Sequence, residues 1–249
     1  MLPPPPRWES RQTAPLLPDG SAHFWRVPVE STPGADARWR ELLQPDEQRK
    51  LARFHFEEDA RREAVNRGAL RLLLGSYLGI GPGSVAFVAG AKGKPAIAGE
   101  FPGGRIEFNV AHSGEWVVIA FARGGRVGVD VEKWREIEAD QILGDFFRPE
   151  ERQEWIEWPE AEREAAFFRA WTLKEAYLKA LGTGLSKPLQ SFRVRLARST
   201  EPALISCEDD EAAASRWNLT SLEIAPRYSA AFVSERGIQT MRLFTFGSA

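Results

Sequence analysis

Two stretches of this chain, set about a hundred residues apart, follow one plan, and a repeat of that period limits the folds open to it. Pro45-Asp46-Glu47 reads as a helix start, because proline suits the first helical position and acids there oppose the positive helix end. Pro149-Glu150-Glu151 repeats it. A longer helix follows each start, REAVNRGALRLLLGSYLG from Arg62 and EREAAFFRAWTLKEAYLKALG from Glu162, and each runs into a glycine suited to a C-cap. The two align without gaps. Further on, the strand-turn-strand run IEFNVAHSGEWVVIAFA from Ile106 has a shorter counterpart, TSLEIAPRYSAAFVSE from Thr220. Chance offers a rival explanation, since any two α+β segments share helix starts and hairpins. Duplication predicts an α+β fold of two pseudo-symmetric subdomains, with the active site in the cleft between them. The boundaries read as a proline-rich tail over 1–15, an N-terminal subdomain over 16–124 and a C-terminal subdomain over 125–249, parted at Gly124-Gly125. The proline tract and the stretch from Ser199 to Ser215 are predicted to be mobile.

Composition removes several function classes. The chain has 249 residues, 43% of them hydrophobic, with 33 basic against 35 acidic side chains, as in an ordinary folded globule. A net charge of -2 leaves no global field to attract nucleic acid, so an anionic ligand must be held by local groups. The single cysteine, Cys207, excludes a disulfide framework and any multi-thiolate metal site, and His23, His55 and His112 are too far apart for a local metal motif. A metal would therefore be held by carboxylates. The longest uncharged stretch is broken by Gly75, Gly79, Gly81, Pro82 and Gly83, and the MLPPPPRWES start has no apolar signal-peptide core. The chain reads as cytoplasmic, with no membrane partner.

In RVGVDVEKW, strict alternation puts Val127, Val129 and Val131 on one strand face and Gly128, Asp130 and Glu132 on the other. The two acids then have Cα atoms about 6.6 Å apart and repel by roughly 2.5 kcal/mol at an effective dielectric near 20. On a solvent-facing strand water screens this; in a cleft it calls for a cation, and an all-oxygen site suits Mg²⁺ shared with a phosphate. Both readings stand on the segment alone. Trp171, Glu175 and Lys179 recur every four residues on the second long helix and line one stripe. Glu175 and Lys179 are also in the favourable order for a plain surface ion pair. Lys174 and the loop GTGLSKP with Lys187 add cations near the same acid, so the set fits phosphoryl transfer. His112, before the Ser113-Gly114 turn, is by itself equally a structural or exposed histidine. Lys92 and Lys94 in AGAKGKP could approach a phosphate, although the loop lacks the Walker spacing and fits a solvated basic turn.

Three ordered blocks, FNVAHSGEWVVIAFA, VGVDVEKWR and FFRAWTLKEAYLKALGTGLS, span Phe108 to Ser186 and resemble the 4'-phosphopantetheinyl transferases of the Sfp type. The Asp-x-Glu strand followed by a Trp-x-x-Lys-Glu-Ala helix is that family's signature, and weaker similarity begins near Leu43. The resemblance implies two pseudo-symmetric α+β halves and transfer of the phosphopantetheine arm of coenzyme A to a serine of an apo carrier protein, releasing adenosine 3',5'-bisphosphate. It implies that Asp130, Glu132 and Glu175 hold Mg²⁺ against the pyrophosphate, with Glu175 accepting the serine proton and Lys179 offsetting charge on the leaving phosphate. It places Lys50, Arg67, Lys94 and His112 around the coenzyme phosphates and Lys174 near the metal ligands. Family members often carry a serine where this chain has Ala111; Ser113 or backbone amides would have to replace that contact.

The resemblance implies that the chain needs no nucleophile of its own, because the attacking hydroxyl would belong to the carrier. The segment from Asp140 to Trp158, with Phe146, Phe147, Trp155 and Trp158 among charges, is one candidate carrier-docking surface, although its aromatics could equally be internal. A duplicated chain that supplies both sides of its own cleft reads as a monomer. Two other functions use the same residues: a Mg²⁺-dependent phosphodiesterase or nuclease with water as nucleophile, and a carrier-binding module without chemistry. The carrier's pathway, whether fatty-acid, polyketide or nonribosomal-peptide, is not written in these residues.

Overall fold

The computed structural model describes residues 7–30, 32, 34–89, 95–99, 105–137, 139–196 and 201–247. The chain divides into two compact units, Met1–Gly124 with Gln239–Ala249, and Gly125–Ile238. The first contains β1 (Trp8–Arg11), β2 (Ser21–Pro28), α1 (Ala37–Arg40), α2 (Pro45–Leu51), α3 (Glu57–Leu78), β3 (Phe87–Ala89), β4 (Pro95–Ile97), β5 (Glu107–Ser113) and β6 (Trp116–Arg123). The second contains β7 (Val127–Lys133), α4 (Ala139–Phe146), α5 (Pro149–Ile156), α6 (Arg163–Leu181), β8 (Phe192–Val194), β9 (Leu204–Cys207), α7 (Ala213–Arg216), β10 (Trp217–Leu222) and β11 (Tyr228–Glu235). The last strand, β12 (Thr240–Phe246), returns to the first unit. The fold is α+β, with two subdomains.

Unit 1 is a five-stranded sheet in the order β1-β12-β2-β6-β5. Strand β12 runs parallel to both β1 and β2, while β2-β6 and β6-β5 are antiparallel. The core under α3 joins Val65, Leu70, Leu73 and Leu74 of the helix to Trp25, Ile119, Phe121 and Phe244 of the sheet. Unit 2 is built on the antiparallel sheet β10-β11-β7, and α6 covers it, its Ala176 and Ala180 packing among Ala231, Val233 and Leu219. No helix among the described residues is long and apolar enough to cross a membrane.

The two proline starts become α2 and α5, and in each a glutamate at the third helical position accepts the backbone N–H of the capping residue. Glu47 takes it from Gln44 and Glu151 from Arg148, both at 2.9 Å. Both long helices end at a glycine in the left-handed region, Gly79 at φ 69° and Gly182 at φ 70°, where any side chain would add strain.

Three boundaries differ from the sequence reading. The last strand leaves the C-terminal subdomain and pairs inside unit 1, because the buried Leu243, Phe244 and Phe246 complete that core. Part of the predicted tail, Trp8–Arg11, is strand β1 against β12; residues 1–6 lie outside the described residues. The stretch predicted to be mobile contains β9 and α7, anchored by the buried Leu204, Cys207 and Ala213.

Candidate active site of the second unit

The face of β7 that carries Gly128, Asp130 and Glu132 is the face that α6 covers. In the antiparallel register Gly128 lies opposite Val233 and Asp130 opposite Ala231, both part of the core under α6. Gly128 sets how close the helix comes. A Cβ there would stand 2.0 Å from the Ala176 carbonyl oxygen and 2.4 Å from the Ala180 nitrogen, distances no side chain can occupy. Glycine therefore lets the strand and helix backbones touch two residues before Asp130 on the strand and next to Glu175 and Lys179 on the helix.

Asp130 is 6% exposed, which rules out the solvated-strand reading. Its Oδ1 accepts a hydrogen bond from Lys179 Nζ at 2.7 Å, and its Oδ2 is buried without a partner. Burial pushes its pKa up to about 6; Lys179 pulls it down, and Glu132 and Glu175 push it up further. Glu132 accepts from Arg135 at 2.9 Å. Glu175, four residues before Lys179, is raised by burial, lowered by Lys179 and raised by Glu132. The three acids thus act on one another electrostatically, and two cations hold two of them. As the side chains stand, no group of three His, Cys, Asp or Glu residues among the described residues is gathered tightly enough to hold a metal. The unpaired buried Oδ2 and the all-oxygen donor set nevertheless suit a hard divalent cation, which would exchange for Lys179 and Arg135.

Lys174 does not belong to this group, and its assignment as a phosphate or metal-side residue is corrected. It is fully buried on another side of α6, with Nζ 2.8 Å from Glu151 and 2.9 Å from each of the Leu189 and Phe192 carbonyl oxygens. All three ammonium protons are taken, so none is left for a phosphate. The sequence shows a lysine beside Glu175, but adjacent helical residues point about 100° apart. The missed partner, Glu151, is the third residue of a helix whose start had been seen.

In unit 1, Lys50 and Arg67 meet on Glu63, donating to its Oε1 at 2.9 and 3.2 Å. Burial raises the Glu63 carboxyl, but the hydrogen bond from Lys50 and the charge of Arg67 outweigh it and leave it below the usual range. His112 is exposed at the end of β5, and Ser113 follows at the turn. Lys94, with Lys92, lies outside the described residues. In the segment proposed for docking, Phe147 and Trp155 are buried in the core, and Trp158 is half-buried, packed against that core and donating to the Leu196 carbonyl. Phe146, 40% exposed, remains outside and meets the Trp171 ring edge-on at 5.7 Å, one turn before Glu175.

A strand and a helix bring Asp130 and Lys179 into contact on a buried face, with Glu132 and Glu175 close enough to act on the same carboxyl, and this is the acidic site of an α+β unit. The chain belongs to the 4'-phosphopantetheinyl transferase family: the superfamily profile matches residues 126–233, and the profile of the N-terminal transferase region matches residues 35–123. It is 35% identical over 212 residues to the 4'-phosphopantetheinyl transferase HetI of Nostoc sp., covering 85% of each chain. It is 32% identical over 159 residues to the 4'-phosphopantetheinyl transferase Sfp of Bacillus subtilis, covering 64% of this chain and 69% of that one. The chain is thus a transferase of this class, and neither the nuclease nor the inert binding module is favoured.

Proposed function

We propose that this protein transfers the 4'-phosphopantetheine arm of coenzyme A to a serine hydroxyl of an apo carrier protein, with Mg²⁺ held by Asp130, Glu132 and Glu175. The observation that carries the metal assignment is the buried, unpaired Oδ2 of Asp130 on the strand face covered by the helix of Glu175 and Lys179. Mg²⁺ bound there supplies charge neutralisation on pyrophosphate oxygens as the phosphorus–oxygen bond breaks.

The remaining chemistry falls to side chains of the chain. Glu175 accepts the proton of the serine hydroxyl, and its raised pKa strengthens it as a base. Lys179, now paired with Asp130, turns its ammonium to the leaving phosphate. Lys50, Arg67, Lys94, His112 and Ser113 bind the coenzyme phosphates; Glu63 cancels one of the two charges it bridges, which keeps Lys50 and Arg67 ordered together. The carrier docks beside Phe146 and Trp171, and the enzyme works as a cytoplasmic monomer.

Incubation with coenzyme A, Mg²⁺ and an apo carrier protein tests this reading. Mass spectrometry should show the carrier heavier by one phosphopantetheine arm; hydrolysis of coenzyme A without a carrier would count against it. Glu175→Gln should lower transfer by ~100-fold or more, the scale of a lost general base, while coenzyme A binding by calorimetry is kept. An undiminished rate would remove Glu175 from the mechanism.

A further inference from the structure

We infer that the buried Lys174–Glu151 pair is a positioning device, clamping α6 from the side away from β7 so that Glu175 and Lys179 face Asp130. The inference rests on the reading of Glu175 as the proton acceptor.

Helix α6 is held on two sides. On one, Ala176 and Ala180 touch the backbone at Gly128. Lys174 precedes Ala176 by two residues, about 200° around the helix axis, and therefore emerges on the far side. There its ammonium binds Glu151 at the start of α5 and the carbonyls of Leu189 and Phe192. Glu151 is held in turn, taking the backbone N–H of Arg148 at 2.9 Å and of Val194 at 2.8 Å. Both side chains are wholly shielded from solvent. The hydrogen bonds on each partner are directional, so rotation of α6 about its own axis would break them, whereas an apolar contact would slide. Glu175 projects between the two held sides.

Unit 1 repeats the device without the chemistry. Glu47, also third in its short helix, pairs with Arg71 of α3 at 2.7 Å, and Arg71 binds the carbonyls of Val85 and Pro82 beyond the end of that helix. Arg71 and Lys174 each lie eight residues before the glycine that ends their helix. The residues that follow by one and five places are Leu72 and Ser76 in unit 1 and Glu175 and Lys179 in unit 2. The clamp thus recurs where no acid needs aiming, and this supplies an internal control for its effect on turnover.

Two double variants of the full-length protein separate positioning from simple stability. Lys174→Met with Glu151→Leu removes the unit 2 pair and leaves no buried charge unpartnered; Arg71→Met with Glu47→Leu does the same in unit 1. Thermal melting, kcat and the KM for coenzyme A are measured on both. Both variants leave the backbone groups that the pair had bridged without partners and should melt lower by similar amounts; assayed well below its midpoint, the unit 2 variant should lose ~10- to 100-fold in kcat, as expected for a misplaced catalytic group. The unit 1 variant should keep kcat and, of the two kinetic constants, change only KM. If the unit 2 double variant does not fold, Lys174→Met with Glu151→Gln, which buries no charge and keeps an acceptor for the backbone N–H groups, is assayed well below its own midpoint and gives the same comparison. Wild-type kcat in the unit 2 variant, or equal kcat losses in the two, overturns the inference. Transfer lost in Glu175→Gln but kept in the unit 2 variant rejects positioning alone, while transfer kept in Glu175→Gln rejects the underlying reading as well.

Discussion

Asp130 and His23 are buried titratable groups whose protonation pulls stability in opposite directions. Burial raises Asp130 from 3.8 to about 6, so between those values the folded chain holds a proton the unfolded chain has released. Stability from this group is fully present below the unfolded value and is lost as pH rises through the window, by about 3 kcal/mol in total. His23 is 1% exposed, with Nδ1 2.7 Å from the Tyr77 hydroxyl and Nε2 unpaired. Burial lowers it from 6.5 to about 4, helped by Arg242 and opposed by Glu9. Its contribution is present above 6.5 and lost as pH falls toward 4, again by about 3 kcal/mol. In chelator the two slopes largely cancel in the wild type. Melting curves between pH 4 and 7 should therefore show Asp130→Asn losing stability on acidification more steeply than wild type and His23→Gln less steeply; three parallel curves would contradict both assignments. The alternation around Asp130 was legible in the sequence, but its burial was not, since a period of two gives a face without saying what covers it.

At the scale of elements, the contact between β7 and α6 decides whether the acids and Lys179 meet. Gly128→Ala tests it. In an unstrained strand this change would stabilise slightly by restricting the unfolded chain, but here the new methyl meets the Ala176 carbonyl oxygen at 2.0 Å, a backbone atom that no side-chain rotation can move aside. The helix must lift, costing about 1–3 kcal/mol of stability, and kcat should fall ~100-fold through misplacement of Glu175 and Lys179. Denaturant melts and steady-state assays measure the two effects, and retained turnover would show that the contact is not limiting. The Lys174–Glu151 pair acts on the other side of the same helix. Removing one partner should cost about 3–5 kcal/mol, whereas replacing both by apolar residues should cost less, because only the bridged backbone groups and no charge are left unpaired. Helix starts, glycine ends and the Glu175–Lys179 stripe could be read from local spacing. Which of the two lysine-bearing sides of α6, that of Lys174 or that of Lys179, faces the acids could not, because that is set by the elements packed around the helix.

For the whole molecule, the path of the last strand has the largest consequence. Strand β12 lies inside the sheet of unit 1, between β1 and β2, while unit 2 ends its own sheet at β11. A chain stopped after Ile238 keeps every strand of unit 2 but leaves β1 with no partner and β2 with an open edge. Limited proteolysis of such a chain should cut first within residues 7–124, and equal protection of both units would refute the prediction. From the sequence, a closing apolar strand can be recognised, but its parallel partner is more than two hundred residues away and leaves no local mark.

The sequence by itself determined the α+β class, the two-part plan, the shared face of Asp130 and Glu132 and the stripe of Glu175 and Lys179, because these follow from helical and strand periodicity and from capping chemistry. Only the tertiary structure decided that Asp130 is buried, that Lys174 binds Glu151, that Phe147 and Trp155 are internal and that β12 belongs to unit 1. Those outcomes depend on which surfaces lose water together, a property of segments distant in the chain rather than of neighbours along it.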